Sequence, residues 1–145
     1  MSYSTELTED CLGIEHVGSG LVTGADLLAA SVTARRLVEN TENFNYELVD
    51  FSEVTALRVS PEELERIVAQ DKIAAESRPR AMVVIIAPSA QTFQLATAWE
   101  EQVRELGWTI HIARERDEGM QWLEDHREQA RTDLLTEKDE TASCE

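Results

Sequence analysis

The longest apolar run in the chain, the seven residues of Ala81–Ala87, constrains the fold more than any other feature. Its sequence, AMVVIIA, has the length of one strand and carries no polar residue on either face. A strand that is apolar on both faces is typical of a parallel sheet covered by helices. The run is far shorter than the ~18 apolar residues that a membrane-spanning helix needs. The sequence therefore predicts a central, buried, parallel strand in an α/β protein.

The clearest helix start follows Val59. Ser60 is suited to the N-cap, Pro61 to the first helical position and Glu63 to the third, where its carboxylate can complete a capping box. Val59 and Leu64 have the spacing of a hydrophobic staple. These four cues agree on a helix that begins at Pro61.

Turn residues and hydrophobic periodicity predict the remaining elements. They are two short strands over 11–22 joined by a Gly18-Ser19-Gly20 turn, a helix over 24–39, a strand over 46–51, a connection over 52–59, helices over 60–77 and 89–107, a strand over 108–113 and a helix over 117–126. This order predicts a single-domain, mixed, mostly parallel sheet of four to five strands with four helices. We expect a flexible N-terminus over 1–10, the domain over 11–127 and an acidic, disordered tail over 128–145.

The net charge of the chain limits the kinds of partner that it can bind. With 29 acidic against 13 basic residues, the formal net charge is −16, and no basic stripe is present that could contact phosphates. Direct nucleic-acid binding is therefore not expected. Residues 1–10 lack the basic and apolar regions of a secretory signal, which favours the cytoplasm. Cys11 and Cys144 are too few for a disulfide framework and are not spaced as metal ligands.

Motifs that carry catalytic chemistry are missing from the sequence. It contains no Gly-x-Ser-x-Gly elbow, P-loop or dinucleotide-binding glycine motif. His16, His111 and His126 are scattered without the spacing of a zinc site. We therefore expect no cofactor, no metal and no enzymatic activity, although an active site assembled from distant residues would leave no such spacing.

Four segments carry a family resemblance: Leu48–Thr55, Gly20–Asp26, Gly107-Trp108 and Met120–Leu123, within a match over about 12–123. They resemble the STAS superfamily, and in particular its SpoIIAA-like (STAS/SEC14-like) branch. The resemblance implies a SpoIIAA-like fold and a regulatory role. Anti-sigma-factor antagonists of this superfamily carry a phosphorylated Asp-Ser-Ser-Gly or Asp-Ser-Thr-Gly segment after their central strand. Here the matching residues are Arg58-Val59-Ser60-Pro61, which retain the hydroxyl but neither the aspartate nor the glycine.

Ser60 therefore has two interpretations. A phosphate at a helix N-terminus would be stabilised by the free backbone N–H groups there, so Ser60 is a candidate phospho-acceptor. The Ser-Pro-Glu-Glu sequence, however, already requires a hydroxyl as the N-cap. We favour the capping role.

Two hypotheses for function remain. We favour a non-catalytic regulatory module that binds a protein partner or itself, through a surface formed by Val54, Leu57, Arg58 and Val59 with the start of the following helix. The alternative is a carrier or sensor of a small hydrophobic, lipid-like ligand. Its apolar pocket would be lined by Trp99, Trp108, Trp122 and His111, although tryptophans at these positions also suit core packing.

Overall fold

The structure, a computed structural model, describes residues 3–10, 12–39 and 44–137, and for 129–137 the backbone only. Its elements in chain order are β1 (Tyr3–Leu7), β2 (Gly13–Thr23), α1 (Gly24–Glu39), β3 (Tyr46–Arg58), α2 (Pro61–Ala75), β4 (Met82–Ile86), α3 (Ala90–Val103), a 3-10 turn (Arg104–Leu106), β5 (Thr109–Ala113) and α4 (Arg116–Glu137). Cys11 and Cys144 lie outside the described residues.

The five strands form one sheet in the order β1-β2-β3-β4-β5. β1 is antiparallel to β2, and every other neighbouring pair is parallel. All five residues of β4 are buried, as the apolar run predicted. The predicted class, a mostly parallel sheet of four to five strands with four helices, is confirmed.

Helices cover the two faces of the sheet unequally. Val83 and Ile85 of β4 point to the face that carries α1, α2 and α3, here called the inner face, where Ile85 packs in one core with Ala96. Val84 and Ile86 point to the opposite face, where Leu123 of α4 covers them. This alternation is the period of two that a strand imposes, and it explains why β4 is apolar throughout. In the described part of the chain, no helix is long and apolar enough to cross a membrane.

The start of α2 has the predicted capping box. The Ser60 side chain accepts a hydrogen bond from the Glu63 N–H at 3.1 Å, and the Glu63 carboxylate accepts one from the Ser60 N–H at 2.9 Å. The same arrangement at Ser89 and Thr92 starts α3. Gly107 ends the 3-10 turn in the left-handed conformation, with φ 84°, that glycine adopts without strain.

The predicted turn at Gly18–Gly20 is wrong. β2 continues through these residues and pairs with β3 along its length, with irregular register around Gly18 and Gly20. A Cβ at Gly18 would lie 3.0 Å from Val54 and 3.1 Å from Tyr3, so close packing explains this glycine. The hairpin is formed instead by β1 and β2. Residues 3–7 of the N-terminus expected to be flexible are therefore a strand, because β2 offers them a free edge for backbone pairing.

Two other predicted boundaries are also wrong. The connection expected over 52–59 is largely strand, because β3 runs to Arg58 and pairs with β2 as far as Thr23. α4 extends to Glu137 instead of ending near 126, so part of the expected disordered tail is helical. Although this segment lacks a regular spacing of apolar residues, its Glu, Gln, Arg, Ala and Leu residues have high helix propensity and favour the helix. Residues 138–145 lie outside the described chain.

Candidate functional site

An interior cavity of about 90 Å³ lies between the inner face of the sheet and helices α1, α2 and α3. Its wall is mostly apolar, with Leu27, Phe51, Ile85 and Trp99 among the lining residues. Its polar lining residues are Tyr3, His16, Ser31, Glu47 and Asp71. These five residues come from five different elements of the fold, so only the folded chain brings them together.

Glu47 is the centre of a buried ion-pair cluster. His16 Nε2 lies 2.5 Å from Glu47 Oε2, and Arg78 Nη2 donates to Glu47 Oε1 at 3.3 Å. The other ring nitrogen of His16, Nδ1, is 2.9 Å from the Thr5 hydroxyl. Burial alone would raise the pKa of Glu47, but Arg78 and His16 together lower it to about 2. Glu47 is therefore ionised and fully partnered.

Asp71 faces the same cavity in a different environment. Its Oδ2 accepts a hydrogen bond from Trp99 Nε1 at 2.7 Å. Burial raises the pKa of Asp71, the negative charge of Glu47 adds to this effect, and the pKa reaches about 7. The Trp99 hydrogen bond and the more distant Arg78 act in the opposite direction but are weaker. Among the described residues, no cationic side chain forms an ion pair with Asp71.

Two hydroxyl groups also line the cavity, those of Tyr3 and Ser31. Neither forms a hydrogen bond within the described parts of the chain, and the same is true of Asp71 Oδ1. Burial raises the pKa of the Tyr3 hydroxyl well above its ordinary value, and Glu47 and Asp71 raise it further, so Tyr3 is a neutral donor. These three oxygens are not among the fully buried, unpartnered polar atoms of the described residues, so water or a ligand in the cavity can reach them.

Arg78 is held behind this cluster by two aromatic rings. Its guanidinium lies 4.6 Å from the centre of the Phe44 ring and 5.1 Å from that of Trp108. Trp108 Nε1 also donates to the Arg78 carbonyl oxygen at 3.0 Å. Trp108 therefore anchors the segment that supplies the cation of the cluster.

The four residues predicted to line one apolar pocket lie in two pairs on opposite faces of the sheet. Trp99 lines the interior cavity, and Trp108 packs behind it with a ring separation of 6.3 Å. His111 and Trp122 lie on the opposite face of the sheet, stacked at 5.2 Å. That prediction is wrong because His111 alternates with Ile110 and Ile112, and because α4 packs on the face opposite to α3.

A surface groove of about 460 Å³, here called the α2–α3 groove, runs between these two helices beside the end of β3. It is lined by Leu57, Val59, Ser60, Pro61, Leu64, Glu65, Gln91, Gln94, Leu95, Ala98 and Gln102. Of the four residues named for the predicted partner surface, it contains Leu57 and Val59. Leu57 is buried and not an exposed anchor, Val54 packs toward the inner core, and Arg58 is exposed outside the groove.

The predictions missed the polar cavity residues, although two of them leave a signal. Glu47 precedes Val49 and Phe51 at the spacing of one strand face, so a carboxylate stands among residues that point inward. Asp71 follows Ile67 by four residues, on the apolar face of α2. A charged residue at a buried position indicates a partner or a ligand. Tyr3 and His16 leave no comparable signal.

In the part of the chain that the structure describes, no three His, Cys, Asp or Glu side chains are grouped as metal ligands. Comparison with solved structures gives a match to an uncharacterised protein of the DUF3478 family from Shewanella loihica PV-4, described as having a SpoIIAA-like fold. The match covers 83% of this chain and 91% of that chain, with 13% identity and a TM-score of 0.51. The chain therefore has a SpoIIAA-like fold, as the sequence resemblance implied. No protein-family model matches the sequence, and no curated protein matches it significantly.

Proposed function

We propose that this chain is a non-catalytic interaction module of the STAS type, which binds an apolar segment of a protein partner in the α2–α3 groove. The observation that carries the proposal is the groove itself. The half-buried Leu95 and Ala98, with the buried Leu64 beneath them, give it an apolar lining in a strongly acidic chain. A concave site with an apolar lining is typical of a binding site.

The rim of the groove indicates the chemistry of the partner. Gln94 and Gln102 line it beside Gln91, whose amide pairs with the Leu57 backbone, and Glu65 is the one charged lining residue. Amide side chains both donate and accept hydrogen bonds, which suits the backbone of a peptide segment. A partner segment with apolar anchors and little charge of its own therefore fits this groove.

The groove also offers little support for catalysis. Its hydroxyl group, that of Ser60, accepts a hydrogen bond from the Glu63 N–H as part of the α2 capping box. An activated serine would instead need an adjacent base such as histidine. The interior cavity, at about 90 Å³, is several times smaller than the ~300–1,000 Å³ of ordinary ligand pockets. This size argues against a carrier of lipid-like molecules.

The experiment that tests this function is selection of a displayed peptide library on the purified protein. We expect enriched peptides with two or more large apolar residues and no excess of acidic ones. Ala98→Glu should abolish their binding, because it places a carboxylate on the apolar lining. Ala69→Glu is the matched control, since Ala69 is exposed on α2 outside the groove.

Equal loss of binding in both variants would show that added charge, and not the groove, is responsible. Peptides that still bind Ala98→Glu would place the partner surface elsewhere. Either result would contradict the proposal.

A further inference from the structure

We propose that the interior cavity is a binding site for a small primary ammonium ion with a short alkyl chain, held by Asp71 and the Tyr3 hydroxyl. The site is distinct from the α2–α3 groove, and the inference does not depend on partner binding there. It rests on the charges, the unpaired polar atoms and the size of the cavity.

The distribution of charge favours a cation. Glu47 already has His16 and Arg78 within hydrogen-bond distance, so its negative charge is compensated. Asp71 has only the neutral indole of Trp99. A carboxylate that is buried without a cation is unfavourable, and a bound ammonium ion supplies the missing charge.

The hydrogen-bonding groups favour an ammonium ion with three N–H donors. Asp71 Oδ1, the Tyr3 hydroxyl and the Ser31 hydroxyl are on the wall, and none has a hydrogen-bond partner among the described residues. Each offers an oxygen that can accept. The Tyr3 side chain is half-buried at the cavity wall, so its hydroxyl can reach a ligand there.

The rest of the wall suits a short alkyl chain. Leu27, Val83 and Ile85 are aliphatic, and Phe51 and Trp99 present aromatic rings, which attract cations. A volume of about 90 Å³ is equivalent to roughly three water molecules, at ~30 Å³ each. An engineered cavity of ~150 Å³ holds benzene, so this cavity holds about three or four non-hydrogen atoms. Ethylammonium has that size.

Two leucines are shared by the cavity and the α2–α3 groove. Leu64 of α2 and Leu95 of α3 line both the interior cavity and the α2–α3 groove. The cavity therefore adjoins the α2–α3 groove at these two side chains.

The test compares ethylammonium with ethanol, a neutral molecule of the same size, and with acetate, an anion. The measurement is the NMR signal of the Trp99 indole N–H, which donates to Asp71, assigned with the Trp99→Phe variant. At about pH 8, Asp71 is mostly ionised and an alkylamine is protonated. We expect a saturable shift with ethylammonium in the millimolar range, because so small a ligand makes few contacts.

The variants separate this site from general attraction of cations to an acidic protein. Asp71→Asn keeps an oxygen that accepts from Trp99 but removes the charge, and should abolish the shift. Tyr3→Phe should weaken binding by about tenfold, the effect of one hydrogen bond. Glu62→Gln removes an exposed carboxylate from the same helix and should leave binding unchanged.

Three results would overturn the inference. Ethanol or acetate binding as tightly as ethylammonium would show that charge does not select the ligand. Binding that persists in a folded Asp71→Asn protein, judged from its other amide signals, would place the cation elsewhere. An unchanged Trp99 signal throughout an ethylammonium titration of the folded wild-type protein would show that the cavity holds only water.

Discussion

The side-chain amide of Gln91 in α3 pairs with the backbone of Leu57 in β3 as a neighbouring strand would. The Leu57 N–H donates to Gln91 Oε1 at 3.1 Å, and Gln91 Nε2 donates to the Leu57 carbonyl oxygen at 3.1 Å. β4 pairs with β3 only as far as Asp50, so the end of β3 projects beyond it. Gln91 therefore satisfies backbone groups on a strand edge that would otherwise be open to solvent or to another chain.

Replacing Gln91 should destabilise the fold. Gln91→Met keeps the length of the side chain but removes both hydrogen bonds, and it leaves the N–H of the buried Leu57 unpaired. We expect the free energy of unfolding, measured by urea denaturation, to fall by roughly 1–3 kcal/mol. Gln94→Met, on the same helix at an exposed position, should change it by less than about 0.5 kcal/mol. Equal effects would mean that the Gln91 pairing contributes nothing.

Ser60→Ala should destabilise the protein by roughly 0.5–2 kcal/mol, because it removes the N-cap oxygen of α2. Ser60→Asp should be nearly neutral, since a carboxylate caps equally well. Ser89→Ala removes the equivalent cap of α3 and should cost a similar amount in the same denaturation experiment. If Ser60→Ala is neutral while Ser89→Ala is not, and a kinase quantitatively phosphorylates Ser60, the regulatory interpretation replaces the capping role.

Asp71→Asn should change the dependence of stability on pH. The pKa of Asp71 is about 7 in the folded protein against an ordinary 3.8, so the folded state retains this proton more strongly than the unfolded state does. In the wild-type protein, Asp71 therefore reduces stability progressively as the pH rises from about 4 to about 7.

The variant lacks this loss, so its stability relative to wild type should increase across that range by roughly 2–4 kcal/mol. The Glu47 contribution is present above pH 4.5 and is lost as the pH falls through about 2, and it is common to both proteins. The control Glu62→Gln should shift the stability by about the same small amount at every pH. If the free energies of unfolding of wild type and Asp71→Asn differ by the same amount at every pH, the prediction is contradicted.

Gly119 sets how closely α4 packs on the sheet. A Cβ there would lie 3.1 Å from Val84 Cγ1 and 3.3 Å from Ile86 Cγ1, both in the rigid central strand. Gly119→Leu should therefore lower the free energy of unfolding by roughly 1–3 kcal/mol, because the larger side chain overpacks this contact. Gln121→Leu, at an exposed position two residues further on, should change it by about 0.5 kcal/mol at most. Tolerance of leucine at Gly119 would show that α4 is free to move off the sheet.

Local features predicted much of the architecture. The start of α2 was predicted correctly because the capping groups of Ser60 and Glu63 are three residues apart and act within one turn. The end of the 3-10 turn was predicted correctly at Gly107, because a left-handed residue favours glycine wherever it occurs. The predicted last strand, 108–113, lies within one residue of β5. The turn expected at Gly18–Gly20 was wrong, because the sequence alone does not distinguish a glycine needed for close packing from a glycine needed for a turn.

The sequence by itself determined the central strand, the capped helices and the order of elements from α1 onward, because each depends on residues that are neighbours along the chain. Only the tertiary structure decided where the polar groups lie. Tyr3, His16, Glu47 and Asp71 come from four elements and meet in one cavity, while Trp99 and Trp122, both expected in a single pocket, are on opposite faces of the sheet. Whether a carboxylate is compensated or left without a cation depends on distances through space, and those are fixed only when the sheet and its helices pack together.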